Sequence, residues 1–191
     1  MKARGIEVPL RHVSNSAAII LWPEAHMEMA RLGISAYGMW PSTETRVAAM
    51  LAGRADFSLR RALTWKARIA QVRQVEAGAC IGYGLTYRTT HPIALAVVPV
   101  GYYDGCDRRI GNAGHVLVGG VRAPIRGRVC MNMMMVEVTD VPSAAPGDEV
   151  VLMGRQGEEE ITAEMLASWS GTINYEVTTR IRETLERFLV D

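Results

Sequence analysis

The sequence predicts an α+β chain that is mainly β: a short α/β piece over residues 1–45, then a β-rich domain over residues 46–191. Three observations lead there. From about residue 63 onward, apolar and polar residues alternate with a period of two, the mark of half-buried strands. Before residue 45 the rhythm is strand, helix, strand, which belongs to an α/β layout. An α/β barrel takes about 200 residues or more, so the first piece cannot be a whole domain of that kind and reads as the tail end of one.

Residues 5–10 predict a short strand that runs into RHVSNSAA. Ser14, Asn15 and Ser16 are good helix-starting residues ahead of the apolar run 17–21. A second short helix is predicted over PEAHMEMARLG, with proline near its start and Gly33 just past its end. GISAYGMW predicts a small-residue strand closed by Pro41 and Ser42. Farther on, Leu63, Trp65, Ala67 and Ile69 alternate with Thr64, Lys66 and Arg68. HPIALAVVPVG predicts a buried strand, and HVLVGGVRAPI a hairpin with a Gly-Gly turn. RVCMNMMMVEV and DEVVLMG predict two further strands. A helix over 163–169 is capped by Thr162 and stopped by Gly171, and INYEVTTRI ends the sheet-rich region. The chain shows no repeats, low-complexity tracts or linkers.

Composition narrows the function. The 21 basic and 20 acidic residues leave a net charge of +1, so no basic excess points to nucleic acid. The longest apolar run, residues 92–100, falls far short of the ~20 residues a membrane span needs. MKARGIEVPL has no apolar segment suited to a signal peptide. Cysteines at 80, 106 and 130 form no CxxC pair. They predict reduced thiols in a cytoplasmic protein, with neither a disulfide framework nor a metal site. Every basic residue except Lys2 and Lys66 is arginine. Nucleotide composition accounts for that, yet it limits the lysine chemistry available.

Hydrolase elbows, zinc-protease helices and Walker loops are absent from the sequence. GYGLTY begins like a dinucleotide fingerprint, but Tyr87 stands where the third glycine belongs and no helix is predicted after it. Tyr83 between Gly82 and Gly84 is the unusual feature, because glycine inside a strand marks a bulge or a close approach. Spacing leaves two readings open: an exposed ring on a turn, or a phenol presented to a reaction. A tyrosine acting as a base at neutral pH must fall about three units from its reference pKa, about 4 kcal/mol, which needs a nearby cation. HVSNS offers a helix start that suits a phosphate or serves as plain capping. Arg31 beside Gly33 fits a helix-end cation, and His12 alone fits a hydrogen-bonded structural residue. Met131, Met133, Met134 and Met135 read as core fillers. Tyr102 and Tyr175 read as buried strand aromatics with a wet hydroxyl.

Taken in order, RHVSNSAA, MARLGISAYGMWPS, GYGLTY, VGYYDG, APIRGRVCMN and GTINYEV resemble the segments of the alanine racemase family across nearly the whole chain. The resemblance implies a C-terminal β domain of the alanine racemase type, preceded by a remnant of a TIM-type barrel. It implies a pyridoxal 5'-phosphate-dependent isomerase that interconverts L- and D-alanine for cell-wall precursors and works as a head-to-tail homodimer. Tyr83 becomes a catalytic base that reaches into the partner's active site. Ser16, the backbone of Gly33 and Ile34, and Tyr175 become phosphate ligands. Arg31 faces the pyridine nitrogen with His12 as its hydrogen-bond neighbour. Met131 binds the substrate carboxylate through its backbone N–H, and Tyr102 lines the entrance.

The chain departs from that pattern in two places. Asn132 stands where many relatives carry aspartate. The family's Schiff-base lysine precedes everything present here, and neither Lys2 nor Lys66 matches its context. A substrate-binding arginine of the barrel is missing with it. The chain thus resembles the C-terminal half of a racemase and is expected to be inactive alone. It would be completed by a separately encoded barrel half, or else be a non-catalytic β module. Related racemases act on serine or other amino acids, and decarboxylases share the architecture; GYGLTY and CMN favour a racemase.

Overall fold

A computed structural model describes Gly5 and residues 8–190. Residues 1–4, 6, 7 and 191 lie outside the described residues, and with them Lys2 and part of the strand expected over 5–10. The chain divides into two compact units, Met1–Leu63 and Thr64–Asp191.

In the first unit, helix α1 (Ser16–Leu21) starts where the sequence placed it, with the Asn15 side chain accepting from the Ala18 N–H at 3.1 Å. The helix expected over 23–33 is only a 3-10 turn, Pro23–Ala25. It goes no further because the Ala25 carbonyl accepts from the Ser14 hydroxyl and Met27 turns to φ 52. The strand expected over GISAYGMW is also a 3-10 turn, Ile34–Tyr37. There the Gly33 and Ser35 amides donate to the Ser16 hydroxyl instead of to a strand ladder, and Gly38 at φ 71 ends the turn. Helix α2 (Thr43–Leu51) was not foreseen. Ser42, which closed a strand in the sequence reading, caps it by accepting from Thr45 N–H at 3.2 Å. Helix α2 runs unbroken through residue 45, and the two compact units divide between Leu63 and Thr64.

The second unit carries the strands. Strands β1 (Trp65–Arg68) and β2 (Gln71–Val75) precede a short pair, β3 (Cys80–Ile81) and β4 (Tyr87–Arg88). Then follow β5 (Ile93–Val98), β6 (His115–Val118), β7 (Val121–Pro124), β8 (Met134–Glu137), β9 (Glu149–Gln156) and β10 (Glu159–Ile161). One sheet has the order β1-β9-β6-β7 with β10 paired to β9; a second has the order β2-β5-β8. The foreseen alternation holds in β1, with Trp65 and Ile69 buried and Lys66 and Arg68 exposed. The foreseen hairpin joins β6 to β7, Gly119 and Gly120 supplying the two positive φ values of a tight turn. Val150, Val151, Leu152 and Met153 are all buried in succession, so β9 is covered on both faces.

Helix α3 (Ala163–Ser170) has the predicted caps, Thr162 accepting from Met165 N–H and Gly171 in the left-handed region. Ala163, Leu166, Ala167 and Ser170 form its buried face at helical spacing, and burying Leu166 alone contributes about 2 kcal/mol. INYEVTTRI is not sheet: it forms α4 (Asn174–Arg180), which packs on α3. The methionine-rich strand is shorter than expected. Only Met134–Glu137 pair in a ladder, because the Cys130 N–H folds back onto the Met133 carbonyl at 2.9 Å. Met134 does fill core, whereas Met133 is 40% exposed. No helix among the described residues is long and apolar enough to cross a membrane.

His115 at the start of β6 packs its ring 4.5 Å from that of Trp169, and its Nε2 is buried without a hydrogen-bond partner. Burial pushes its pKa below the usual 6.5, the Arg122 charge adds to this, and Glu159 opposes it. The unfolded chain therefore takes up a proton at His115 more readily than the folded one. The stabilising difference is present above the unfolded pKa and is lost as pH falls from there through the depressed folded pKa. Urea midpoints measured between about pH 7.5 and about pH 5.5 should fall on acidification, and His115→Phe should flatten that fall.

Candidate functional site

In the first unit, two stretches of chain lie side by side and bring together five of the residues singled out in the sequence. Arg31 N–H donates to the Ser14 carbonyl at 3.0 Å, and the Arg31 guanidinium donates to the Val13 carbonyl at 3.2 Å. Two residues before Val13, Arg11 pairs with Glu28 and holds that carboxyl down to about 2. His12 sits between these ties and is exposed. The hydrogen bond of the Arg31 guanidinium thus goes to the backbone next to His12. Ser16 is 3% exposed, and its hydroxyl oxygen accepts from Gly33 N–H at 2.9 Å and from Ser35 N–H at 3.3 Å. The start of α1 and the start of the Ile34–Tyr37 turn therefore converge on one hydroxyl, with Ile34 buried beneath. A cluster of backbone N–H groups and a hydroxyl, with a permanently charged guanidinium on the same segment, suits an anionic group such as a phosphoryl.

In the second unit Tyr83 lies in a 3-10 turn, Tyr83–Leu85, that joins β3 to β4, and the residue is 73% exposed. The turn needs its glycines. Gly82 and Gly84 take φ 74 and 72, and a Cβ on Gly84 would come 2.7 Å from the Arg128 guanidinium. The stem beneath is fixed: Ile81 packs with Ile93 and Leu95, and Tyr87, Val75 and Met135 close around them. Arg126 lies 4.6 Å over the Tyr87 ring and donates to Glu137 at 2.6 Å. At the base, the buried Thr89 hydroxyl donates to the Glu76 carbonyl and accepts from the Ala79 N–H. A rigid stem thus carries an outward-pointing phenol.

Tyr102 and Met131 come together through backbone. The 3-10 turn Tyr102–Asp104 donates from Tyr102 N–H to the Cys130 carbonyl and from Tyr103 N–H to the Met131 carbonyl, both at 3.0 Å. Tyr102 is not a buried strand aromatic; it is 43% exposed on that turn, and Met131 is 53% exposed on the facing loop. Tyr175 is likewise no strand residue but lies in the first turn of α4, 37% exposed. The two helical turns are coupled, since Arg180 donates to Asp107 at 2.8 Å and Arg182 lies 4.1 Å over the Tyr103 ring. Hydrogen bonding from Arg109, with the Arg180 charge, keeps the Asp107 carboxyl below its ordinary range. Burial, with the Asp107 and Asp104 charges, drives the Cys106 thiol up to about 12, so it is no nucleophile at neutral pH. Lys66 donates to Glu149 at 2.9 Å on the exposed side of β1, engaged as a surface ion pair.

Sequence reasoning missed Arg128, Asn112 and Asp107. Arg128 lies against Gly84, Asn112 bonds Gly127 and Thr86, and Asp107 bonds Arg180 as well as nearby Arg109; only the consecutive Arg126-Gly127-Arg128 pattern hinted at one of them. Gly101 is a sharp constraint, because a Cβ there would fall 2.2 Å from both the Cys130 and Met131 carbonyl oxygens. Gly101→Ala should part Tyr102 from Met131 and destabilise the chain by about 2 kcal/mol or more in urea unfolding.

Comparison with known proteins gives a consistent picture. The family model described as alanine racemase, C-terminal domain, matches residues 62–189, and that for the N-terminal domain matches residues 1–41. The alanine racemase of Leptospira interrogans (Fiocruz L1-130) is 47% identical over 190 residues, covering 100% of this chain and 49% of that protein. That of Carboxydothermus hydrogenoformans is 48% identical over 190 residues, covering 100% and 50%. The crystal structure of the Bacillus anthracis alanine racemase with bound L-Ala-P superimposes with a TM-score of 0.85 at 39% identity, over 95% of this chain and 45% of that one. The biosynthetic alanine racemase of Pseudomonas aeruginosa gives 0.77 at 33% identity, over 98% and 49%. The chain spans about half the length of the relatives it matches.

Proposed function

The chain belongs to the alanine racemase family, and from that premise we propose that it is the C-terminal portion of an alanine racemase with Tyr83 as one of two proton-exchanging bases. The observation that carries the reading is Tyr83, 73% exposed at the tip of a hairpin anchored by buried Ile81 and half-buried Tyr87. A base that must meet a substrate bound by another subunit has to be held rigidly and left uncovered.

Pyridoxal 5'-phosphate, when bound, supplies an electron sink that acidifies the α-proton of the amino acid. The donor set of the first unit suits its phosphate: Ser16 and the N–H groups of Gly33 and Ile34 would hold it. Arg31, beside His12, would face the pyridine nitrogen. Its guanidinium stays protonated and gives up no proton, so the ring is a weaker sink and reprotonation is favoured over side reactions. The Met131 backbone N–H would orient the substrate carboxylate, and Tyr102 would line the entrance. Tyr83 would then exchange the α-proton on one face. On the opposite face the exchange falls to a lysine, a role that matches the context of neither Lys2 nor Lys66. Assembly is as a cytoplasmic homodimer, or as a pair with a barrel half, in which residues 1–45 are the end of the barrel.

Two measurements test this. The purified 191-residue chain should not racemise alanine, and mixing it with an N-terminal barrel half that supplies the lysine should restore both the visible absorbance of bound cofactor and turnover. Robust turnover by the chain alone would overturn the reading. In the completed enzyme, Tyr83→Phe should slow solvent-proton exchange on one face about 100-fold or more while cofactor absorbance stays unchanged. Unchanged rates in both directions would end the assignment.

A further inference from the structure

Asn112 stands in the loop between the 3-10 turn Arg108–Ile110 and β6, at φ 62, a conformation asparagine tolerates better than other non-glycine residues. Its backbone N–H donates to the Ile125 carbonyl at 3.2 Å, and its side chain reaches two ways. On one side Oδ1 accepts from Gly127 N–H at 2.6 Å; on the other Nδ2 lies 3.4 Å from both the carbonyl and the hydroxyl of Thr86. Reversing the amide would set donor against donor at Gly127 and acceptor against acceptor at the Thr86 carbonyl, so the partners fix its orientation. The Gly127 arm is strong and the Thr86 arm long and weak.

These contacts bracket Tyr83. Thr86 ends its turn, and Gly127 is the seat on which the turn begins: a Cβ on Gly127 would fall 2.6 Å from the Ile81 carbonyl oxygen, and one on Gly82 3.2 Å from Arg128 N. Between those ends three successive departures from ordinary backbone, at Gly82, Gly84 and Leu85, all have positive φ. Two glycines give such a segment more freedom than any other residue would. Leu85 in the left-handed region is strained and persists there only because its surroundings hold it. A misplacement of about 1 Å at a reacting group can cost about 100-fold in rate.

We propose that Asn112 is a positioning residue for Tyr83, clamping the end of its turn to the Gly127 seat so that the phenol is presented in one orientation. The proposal rests on reading Tyr83 as a base.

Two substitutions keep the left-handed backbone and separate the arms. Asn112→Gly removes both; Asn112→Asp keeps the acceptor for Gly127 and loses the donor to Thr86. In the 191-residue chain, amide hydrogen exchange of Gly127 and residues 83–86 should quicken about 10-fold in Asn112→Gly, with β6 and β9 still protected. Asn112→Asp should restore protection at Gly127 alone. In the enzyme completed by a barrel half, Asn112→Gly should lower kcat about 10-fold with KM within about 2-fold, and slow exchange selectively on the Tyr83 face. Asn112→Asp should fall between. Unchanged amide exchange in Asn112→Gly would overturn the clamp. Quickened exchange with unaltered kcat and facial ratio would overturn its positioning role. If Tyr83→Phe proves harmless, the base assignment fails, while amide exchange still decides whether Asn112 holds the turn.

Discussion

A strip of backbone running from Gly127 to Met131 has to touch two other loops at once, and the arrangement of the β unit's functional residues follows from that contact. At its first end it lies against Ile81 and Gly82, where a Cβ on Gly127 would approach a carbonyl oxygen to 2.6 Å. At its other end it receives the Tyr102–Asp104 turn, where a Cβ on Gly101 would meet two carbonyl oxygens at 2.2 Å. Backbone laid directly on backbone leaves no side chain to yield, so these distances are set within tenths of an ångström. Tyr83, Met131 and Tyr102 inherit their places from this strip, which explains why residues 128–133 leave the ladder that Met134–Glu137 complete.

Rigidity below and openness above are the two properties this arrangement combines. Ile81 and Tyr87 anchor the Tyr83 hairpin in apolar packing, and the Arg126–Glu137 pair, with Arg126 over Tyr87, closes the flank. That ion pair is largely shielded, with the Glu137 side chain 10% exposed, so losing one partner would leave the other charge poorly solvated. Above the stem the ring faces outward. In the separate unit Met1–Leu63, Ser16 and Arg31 draw two stretches of chain together through backbone amides and carbonyls. The first unit gathers backbone N–H groups around the Ser16 hydroxyl, and the second holds out an exposed phenol.

Elements whose cues are local were legible in the sequence. The Asn15 and Thr162 caps, the Gly171 stop, the Gly119-Gly120 turn and the alternation around Trp65 each depend on a few neighbouring residues, and each appears where expected. The exposed Tyr83 turn belongs with them, because its two glycines announce an unusual path. Elements that compete with distant partners were not legible. The second helix stopped early, GISAYGMW became a turn once the Ser16 hydroxyl claimed its amides, and INYEVTTRI became α4 rather than strand. Tyr102 and Tyr175 changed from buried to exposed for the same reason.

The sequence by itself determined the family, the mainly β character and the order of the functional segments, since these are carried by residue identity and short spacing. Only the tertiary structure decided which loops meet, that Asn112 bridges Thr86 and Gly127, and that Gly101 must be glycine. Such contacts join residues far apart in the chain, up to dozens of positions, where local propensity has no purchase; closure of the whole fold brings them within hydrogen-bonding distance.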